Sequence, residues 1–280
     1  RRRTLSVRRK SGLYRMSGMY SAMEKVMMAR DASRPKITDY IENLFTDFFE
    51  QKGDMLGKED GSIYGGIALF HGRPVTVLGH RKGKNLEENL TCNFGMPGPE
   101  GYRKALRMME QAERFNRPVI TFIDTPGAYP GVEAEEFGQS QAIADNLARM
   151  SSLTVPVISI VTGEGSSGGA LAIGVANRVF MLENAIYSIL SPEGFATILW
   201  KDSARKAEAS EIMKLTAQDL QELGVIDGII EETDLYANLD NLLTRELKVL
   251  ENKSGTELER MRYKKFRRID ERFLTLGGNR

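Results

Sequence analysis

Residues 155–161 read Val155-Pro-Val-Ile-Ser-Ile-Val161, and the chain continues through Thr162 into Gly163-Glu-Gly-Ser-Ser-Gly-Gly169. The first part is an apolar run of the length of a buried strand, and the second is a turn built from small residues. A further run of small residues, Gly169–Ala176, predicts a helix packed closely on that strand. Strand, glycine-rich turn and helix in succession are typical of α/β proteins with parallel strands.

The same pattern occurs once before in the chain. Val119–Ile123 predicts a buried strand, and the turn Asp124-Thr-Pro-Gly-Ala-Tyr-Pro-Gly131 follows it. A helix comes next, with Ile143, Leu147 and Met150 spaced to share its inner face. The repetition supports an α/β fold with a parallel sheet at its centre.

The other segments are predicted from their periodicity and their turn residues. They are a helix over Ile37–Phe49, a hairpin of Ser62–Leu69 and Pro74–Gly79, a helix marked by Tyr102, Leu106, Met109 and Ala112, strands Arg178–Leu182 and Ala185–Leu190, a helix over Glu208–Leu223 that stops at Gly224, and a charged helical tail after Glu231. The basic stretch Arg260–Arg268 in that tail is interpreted as a solvated helix face. We divide the chain into a basic extension (1–34), a main domain (35–250) and a charged helical tail (251–280).

The composition excludes some classes of function and location. The chain has 280 residues, and 41% of them are hydrophobic, as in an ordinary globular protein. Its net charge of +1 predicts neither a membrane partner nor a specific nucleic-acid partner. A single cysteine, Cys92, cannot form an internal disulfide or a cysteine-rich metal cluster and fits a reducing compartment. We expect a cytoplasmic protein if the basic start, Arg1–Lys10, is a solvated tail. If that start is the remnant of a transit peptide, the protein would be plastid.

Two nucleotide-binding patterns overlap the glycine-rich turn, and both are incomplete. A phosphate-binding P-loop would end in Gly-Lys-Ser or Gly-Lys-Thr, whereas Gly168 is followed by Gly169 and Ala170. Gly163–Gly168 matches the dinucleotide pattern Gly-x-Gly-x-x-Gly, but no acidic residue ends a next strand about 20 residues further on. A nucleotide site is therefore not favoured.

A serine-hydrolase elbow, Gly-x-Ser-x-Gly, also matches the turn around Ser167. Its serine needs a basic partner, and the two histidines of the chain, His71 and His80, both precede the serine. The α/β-hydrolase order places the histidine after the serine, so a hydrolase stays only as an unfavoured alternative. The spacing alone fits equally well a turn that only allows close packing and a site of backbone N–H donors without an obvious catalytic acid or base. Such donors suit a reaction in which the base comes with the substrate or cofactor and the protein supplies an oxyanion hole.

Longer segments carry a more specific signal. They are Gly79–Gly83, Asn93–Pro97, Glu100–Ala105, Arg117–Gly131, Ala134–Ser140, Gly163–Gly174, Tyr187–Gly194 and Ile198–Lys201. In order and without large gaps, they resemble the alpha subunits of acetyl-CoA carboxylase carboxyltransferase of the bacterial and plastid multisubunit type. The likeness extends from about residue 29 to about residue 230.

The resemblance implies a crotonase-type fold, a spiral of ββα units, with additional N- and C-terminal helices. It implies transfer of a carboxyl group from carboxybiotin to acetyl-CoA to form malonyl-CoA, the first committed step of fatty acid biosynthesis, with another acyl-CoA as the alternative substrate. The implied assembly is an alpha2beta2 heterotetramer whose active site lies between alpha and beta subunits. Biotin is carried covalently by the biotin carboxyl carrier protein, and an ATP-using biotin carboxylase belongs to the wider complex. Zinc is expected on the beta subunit and no metal on this chain.

The resemblance also implies the site residues. The backbone N–H groups of Gly168 and Gly169 correspond to the oxyanion hole for the ureido oxygen of biotin. The residues expected to line the biotin pocket are Gly127, Ala128, Tyr129, Gly131, Gly165, Ser166 and Ser167. Two positions depart from the family pattern, because Ser166 stands where glycine is usual and Phe137 where arginine is common.

Overall fold

An eight-stranded sheet with helices packed on it makes up the part of the chain that the computed structural model describes, residues 20–269. Its strands are β1 (Thr46–Glu50), β2 (Ile63–Phe70), β3 (Arg73–His80), β4 (Val119–Thr125), β5 (Val157–Ser166), β6 (Arg178–Leu182), β7 (Ile186–Ser188) and β8 (Gly228–Ile230). Its helices are α1 (Ala22–Ala29), α2 (Ile37–Leu44), α3 (Leu86–Thr91), α4 (Pro99–Arg114), α5 (Val132–Glu136), α6 (Gln139–Ser152), α7 (Ser167–Leu171), α8 (Pro192–Trp200), α9 (Lys206–Met213), α10 (Ala217–Glu222), α11 (Leu235–Glu251) and α12 (Gly255–Arg267).

The strand order confirms the parallel sheet that the sequence predicts. The order is β1-β2-β3-β4-β5-β6-β8, and β7 pairs with β5 beyond the end of β6. The pair β2–β3 is antiparallel, as the predicted hairpin requires, and so is the pair β1–β2; every later pairing is parallel. Every residue of β4 and β5 is buried, because helices cover both faces of a parallel sheet.

The prediction of one helix over Ile37–Phe49 is wrong in its second half. Helix α2 ends at Leu44, and Phe45 is already extended, with φ −129° and ψ 156°. The next five residues form β1, which pairs with β2 at the edge of the sheet. The spacing of apolar residues favours a helix only as a local preference. Pairing of these residues with the open edge of β2 outweighs that preference.

The predicted helix Glu208–Leu223 is two helices. Lys214 has φ 52°, a left-handed conformation that ends α9, and Thr216 forms an isolated bridge with Ile186. Thr216 then caps α10, since its hydroxyl accepts from the backbone N–H of Asp219. The break brings α10 against β7, and the strand predicted over Ala185–Leu190 shortens to the three residues of β7.

The interpretation of Arg260–Arg268 as a solvated helix face is wrong for one residue. Arg262 on α12 is fully buried, and its guanidinium donates to Asn177 Oδ1 at 2.6 Å and to the Val155 carbonyl. Burial lowers the pKa of Arg262 to about 10, so the group still carries its charge at neutral pH. Leu258 on the same helix belongs to the main core. The division of the chain at residue 250 stays a prediction.

The segment between α1 and α2 is fixed on the sheet near the carboxyl end of β5. Arg34 donates from Nε and Nη2 to the Thr162 carbonyl, at 3.1 and 2.7 Å, and forms an ion pair with Glu232 at 2.9 Å. Arg30 forms an ion pair with Glu164 at 2.7 Å. These contacts hold the last residues of β5 in place. Among residues 20–269, no helix combines the length and the apolar character that crossing a bilayer requires.

Candidate active site

The glycine-rich turn is the sharp change from β5 to α7. Ser167 has φ 60°, a strained conformation for a residue with a side chain. Ser167 is exposed, whereas the preceding residue, Ser166, is buried. Helix α7 is shorter than the sequence predicts: it begins at Ser167 and ends at Leu171. The side chain of Ser166 does not cap the helix, and Gly168 and Gly169 stand in its first turn, where backbone N–H groups have no acceptor within the helix. The turn therefore presents two adjacent donors.

Gly169 lies directly against the loop that follows β4. A Cβ at Gly169 would be 2.5 Å from the backbone nitrogen of Ala128 and 2.7 Å from the carbonyl carbon of Gly127. At Gly168, in contrast, a Cβ would meet only the Ile143 side chain, at 3.6 Å. The structure thus brings together the predicted oxyanion-hole residues and the first two predicted pocket residues of the loop. Only glycine fits at the point of contact.

Hydrogen bonds fix the loop from residue 125 to residue 131. The Thr125 hydroxyl accepts from the Gly127 N–H at 3.0 Å and donates to the Gly127 carbonyl at 2.8 Å. The Gln139 amide donates to the carbonyls of Tyr129 and Pro97, at 3.1 and 2.8 Å. The Tyr129 ring folds back over Gly131, which has room for it because it lacks a side chain. These bonds tie the loop to its own backbone and to Gln139 at the start of α6.

An open groove of about 550 Å³ lies beside the turn. It is lined by Ser167, Gly168, Leu171, Tyr187, Ser188, Ile189, Leu220 and Val225. Two of the predicted site residues, Ser167 and Gly168, thus line a cavity.

Gly165 and Ser166 lie in the buried end of β5, and neither lines the groove. A Cβ at Gly165 would be 3.0 Å from the Tyr187 ring, so this glycine makes room for a groove residue instead. The predicted contacts of biotin with Gly165, Ser166, Tyr129 and Gly131 stay predictions.

Several groove residues were missed from the sequence. Tyr187 and Ile189 belong to the family-like segment Tyr187–Gly194, so that segment was a usable signal for them. Leu220 and Val225 come from α10 and the turn after it, more than 50 residues beyond Gly168 in the chain. No local pattern marks them, because only the packing of α10 against β7 brings them to the groove.

Asp124 connects the ends of β4 and β5 beneath the site. Its carboxylate accepts from Lys82 Nζ at 2.6 Å and from the backbone N–H of Glu164 at 3.0 Å. Burial opposes ionisation of Asp124, but Lys82 and the Glu164 N–H outweigh it and hold the pKa of the carboxyl group below its ordinary value. An ionised Asp124 thereby fixes the residues that lead into the glycine-rich turn.

Neither histidine is placed to activate Ser167. His71 lies on the surface, where its Nε2 hydrogen-bonds Asp240 at 2.8 Å. His80 is buried, and Ser167 is not among its contacts; burial lowers its pKa to about 3, against the opposing effects of the Asp124 carboxylate and the Gly169 backbone. The geometry of a serine hydrolase is therefore not present. Within the described part of the chain, no group of His, Cys, Asp and Glu side chains is arranged to hold a metal ion.

The two glycines of the turn should respond differently to the same added methyl group. We expect Gly169→Ala to lower the free energy of unfolding by about 1–3 kcal/mol or more, because the methyl group meets backbone atoms that must move. Gly168→Ala should leave it unchanged or raise it by about 0.5–1 kcal/mol, since alanine costs less entropy in a helix. Denaturant unfolding of both variants checks this, and equal stabilities would contradict the close contact at Gly169.

Comparison with known proteins identifies the family. The profile of the family described as acetyl co-enzyme A carboxylase carboxyltransferase-like matches residues 3–270. The chain is 56% identical over 255 residues to the acetyl-coenzyme A carboxylase carboxyl transferase subunit alpha of Bacillus subtilis (strain 168), covering 88% of this chain and 78% of that protein. It is 55% identical over 261 residues to the subunit of the same name from Bacillus cytotoxicus, covering 90% of this chain and 81% of that one.

Solved structures show the same fold at low identity. Transcarboxylase 12S, with methylmalonyl-coenzyme A and methylmalonic acid bound, superposes with a TM-score of 0.66 at 22% identity, over 78% of this chain and 43% of that one. The beta subunit of geranyl-CoA carboxylase from P. aeruginosa gives 0.62 at 17% identity, over 87% and 48%. The expected crotonase-type fold is thereby confirmed. With the profile match over residues 3–270, the identities of 55–56% show that this chain belongs to the family of acetyl-CoA carboxylase carboxyltransferase alpha subunits, which act in a biotin-dependent transferase.

Proposed function

We propose that the Gly168–Gly169 turn is the oxyanion hole of the carboxyltransferase reaction and that the adjoining groove receives the ring system of carboxybiotin. Carboxybiotin, when bound, supplies the carboxyl group and then a base for the methyl group of acetyl-CoA. The observation that carries the proposal is the pair of backbone N–H groups in the first turn of α7, at a turn whose first residue, Gly168, lines the groove. Each donor of such a hole contributes about 10²–10³ in rate.

The groove fits the ring system in size and in chemistry. Its volume of about 550 Å³ lies within the range of small-molecule sites, roughly 300–1,000 Å³. Leu171, Tyr187 and Ile189 give it apolar walls that suit the aliphatic and sulfur-containing part of biotin. Donors at the turn suit the ureido edge. The names of the relatives specify acetyl-CoA, which favours it over another acyl-CoA as the acceptor.

A second surface near the groove points to the partner subunit. Ile189, at the groove, is 77% exposed, and Ile198 and Leu199 on the nearby helix α8 are 68% and 56% exposed. Neighbouring exposed apolar side chains mark protein contacts more often than solvent-facing surface. We assign this surface to the zinc-containing beta subunit, which would bring acetyl-CoA and close the groove in an alpha2beta2 assembly. The biotin carboxyl carrier protein and the ATP-using biotin carboxylase would complete the complex.

A matched pair of variants at Gly168 tests the oxyanion hole. Gly168→Ala and Gly168→Pro place a Cβ in the same open space, but only proline removes the N–H donor. We expect the kcat of the proline variant to be lower than that of the alanine variant by on the order of 10²-fold or more, because one donor to the transition state is lost. The measurement is malonyl-CoA-dependent carboxylation of biocytin by the variant assembled with the beta subunit.

The pair also excludes a folding artefact. Both variants must bind the beta subunit and unfold at similar temperatures before their rates are compared. Equal kcat values in two intact assemblies would refute the role of the Gly168 N–H group and with it the two-donor oxyanion hole.

A charge in the exposed apolar surface should prevent assembly. We expect Ile198→Asp to weaken binding of the beta subunit by roughly 10²-fold or more, since a carboxylate would have to be desolvated at the contact. Val249→Asp on α11 is the control, because Val249 is also exposed but lies on a different helix from the proposed contact. Titration calorimetry or sedimentation measures both. Normal binding by Ile198→Asp would remove α8 from the proposed interface.

A further inference from the structure

Two polar side chains approach Gly169 from inside the fold. A Cβ at Gly169 would be 2.8 Å from the hydroxyl oxygen of Tyr102 on α4, so that hydroxyl lies against the Cα of this glycine. The ring of His80, at the end of β3, lies beside the Gly169 backbone. Tyr102 is 0% and His80 2% exposed, so solvent reaches neither. Both side chains therefore back the turn that carries the proposed oxyanion hole.

The polar atoms of both side chains lack ordinary hydrogen bonds. Within residues 20–269, the Tyr102 hydroxyl and the two ring nitrogens of His80 have no partner of good geometry. Tyr102 packs instead with Ala142 and Ala172 in a small apolar cluster. Buried polar groups in native proteins are nearly always paired, with the protein or with ordered water. A phenylalanine would fill the space of Tyr102 without that unpaired oxygen, so the hydroxyl calls for a specific role.

Neither group is suited to proton transfer. Burial lowers the pKa of His80 to about 3, so its ring stays neutral near physiological pH and offers one donor and one acceptor. Burial raises the pKa of Tyr102 well above its ordinary value, so its hydroxyl keeps its proton. The charged groups close to His80 are Asp124 and Lys82, which are paired with each other. What the two side chains offer the turn is hydrogen bonding.

We propose that Tyr102 and His80 are positioning residues for the Gly168–Gly169 turn. They form hydrogen bonds to the Gly169 backbone, directly or through a buried water. These bonds hold the turn so that its N–H groups point at the oxyanion. The inference rests on the proposed function of the turn and deepens it. An oxyanion hole acts only when its donors lie within a narrow distance of the developing charge. A misplacement of about 1 Å can cost on the order of 10²-fold in rate, so an anchor on the buried side of the turn matters for catalysis.

Tyr102→Phe tests the proposal, because it removes one oxygen and keeps the ring. We expect kcat in the assembled enzyme to fall on the order of tenfold, with KM for biocytin unchanged, since the loss is confined to the transition state. Tyr40→Phe is the matched control. Tyr40 is also fully buried with an unpaired hydroxyl, but it lies on α2, where its ring stacks on Phe122. Its variant should keep the wild-type kcat.

A second pair addresses His80. His80→Gln keeps a donor and an acceptor near Gly169, whereas His80→Leu keeps neither, so we expect glutamine to retain several-fold more kcat than leucine. The pH profile of kcat should keep its shape in all variants, because neither group is proposed to titrate. Loss of one limb of the profile would assign proton transfer to the residue and overturn the positioning role.

The outcomes separate this inference from the proposed function. Equal rates for Gly168→Pro and Gly168→Ala would refute the Gly168 donor and with it the two-donor oxyanion hole on which this inference rests. A large difference between those two, together with a Tyr102→Phe kcat equal to that of Tyr40→Phe and with His80→Leu equal to wild type, would leave the oxyanion hole standing and overturn the positioning role alone.

Discussion

The close approach of two backbone segments at Gly169 is the constraint on which the rest of the site depends. Neighbouring parallel strands end at the same edge of a sheet, so the chain segments that leave them must pass each other there. In this sheet Thr125 of β4 pairs with Gly165 of β5, and within four residues the two segments are in contact at Gly169. A side chain at that point would separate the loop from the turn. The register of two buried strands thus sets the position of the backbone donors.

Charged groups keep this edge of the sheet in one geometry. The Asp124 carboxylate at the end of β4 accepts hydrogen bonds from Lys82 and from the backbone N–H of Glu164 on β5. Arg34 attaches the segment between α1 and α2 to the Thr162 carbonyl. Ion pairs at such depth add little net stability compared with apolar packing, but losing one partner leaves a buried charge and is costly. Their effect here is to restrict how the edge can move. A site made of loops and turns can therefore be as rigid as the sheet beneath it.

The parts of the fold that were predicted from the sequence are those whose signal is local. Predominantly apolar runs predicted β4 and β5, and turn residues and spacing predicted the hairpin and the helix α4. The end of α2 at Leu44, the left-handed Lys214 and the buried Arg262 were not predicted, because each depends on a partner distant in sequence. The site divides in the same way. The donors of the turn could be inferred from its glycines, whereas the far wall of the groove could not.

The chemistry of the turn explains why a chain with so few functional side chains would depend on a partner. Backbone donors stabilise an oxyanion more strongly where the local dielectric is low and competing water is excluded. In the isolated chain the groove is open, so water can occupy the donors of Gly168 and Gly169 and weaken their field. A subunit that covers Ile189 and α8 would remove that water and lower the dielectric at once. Assembly would then raise the catalytic value of donors that the fold has already positioned, without a change in their geometry.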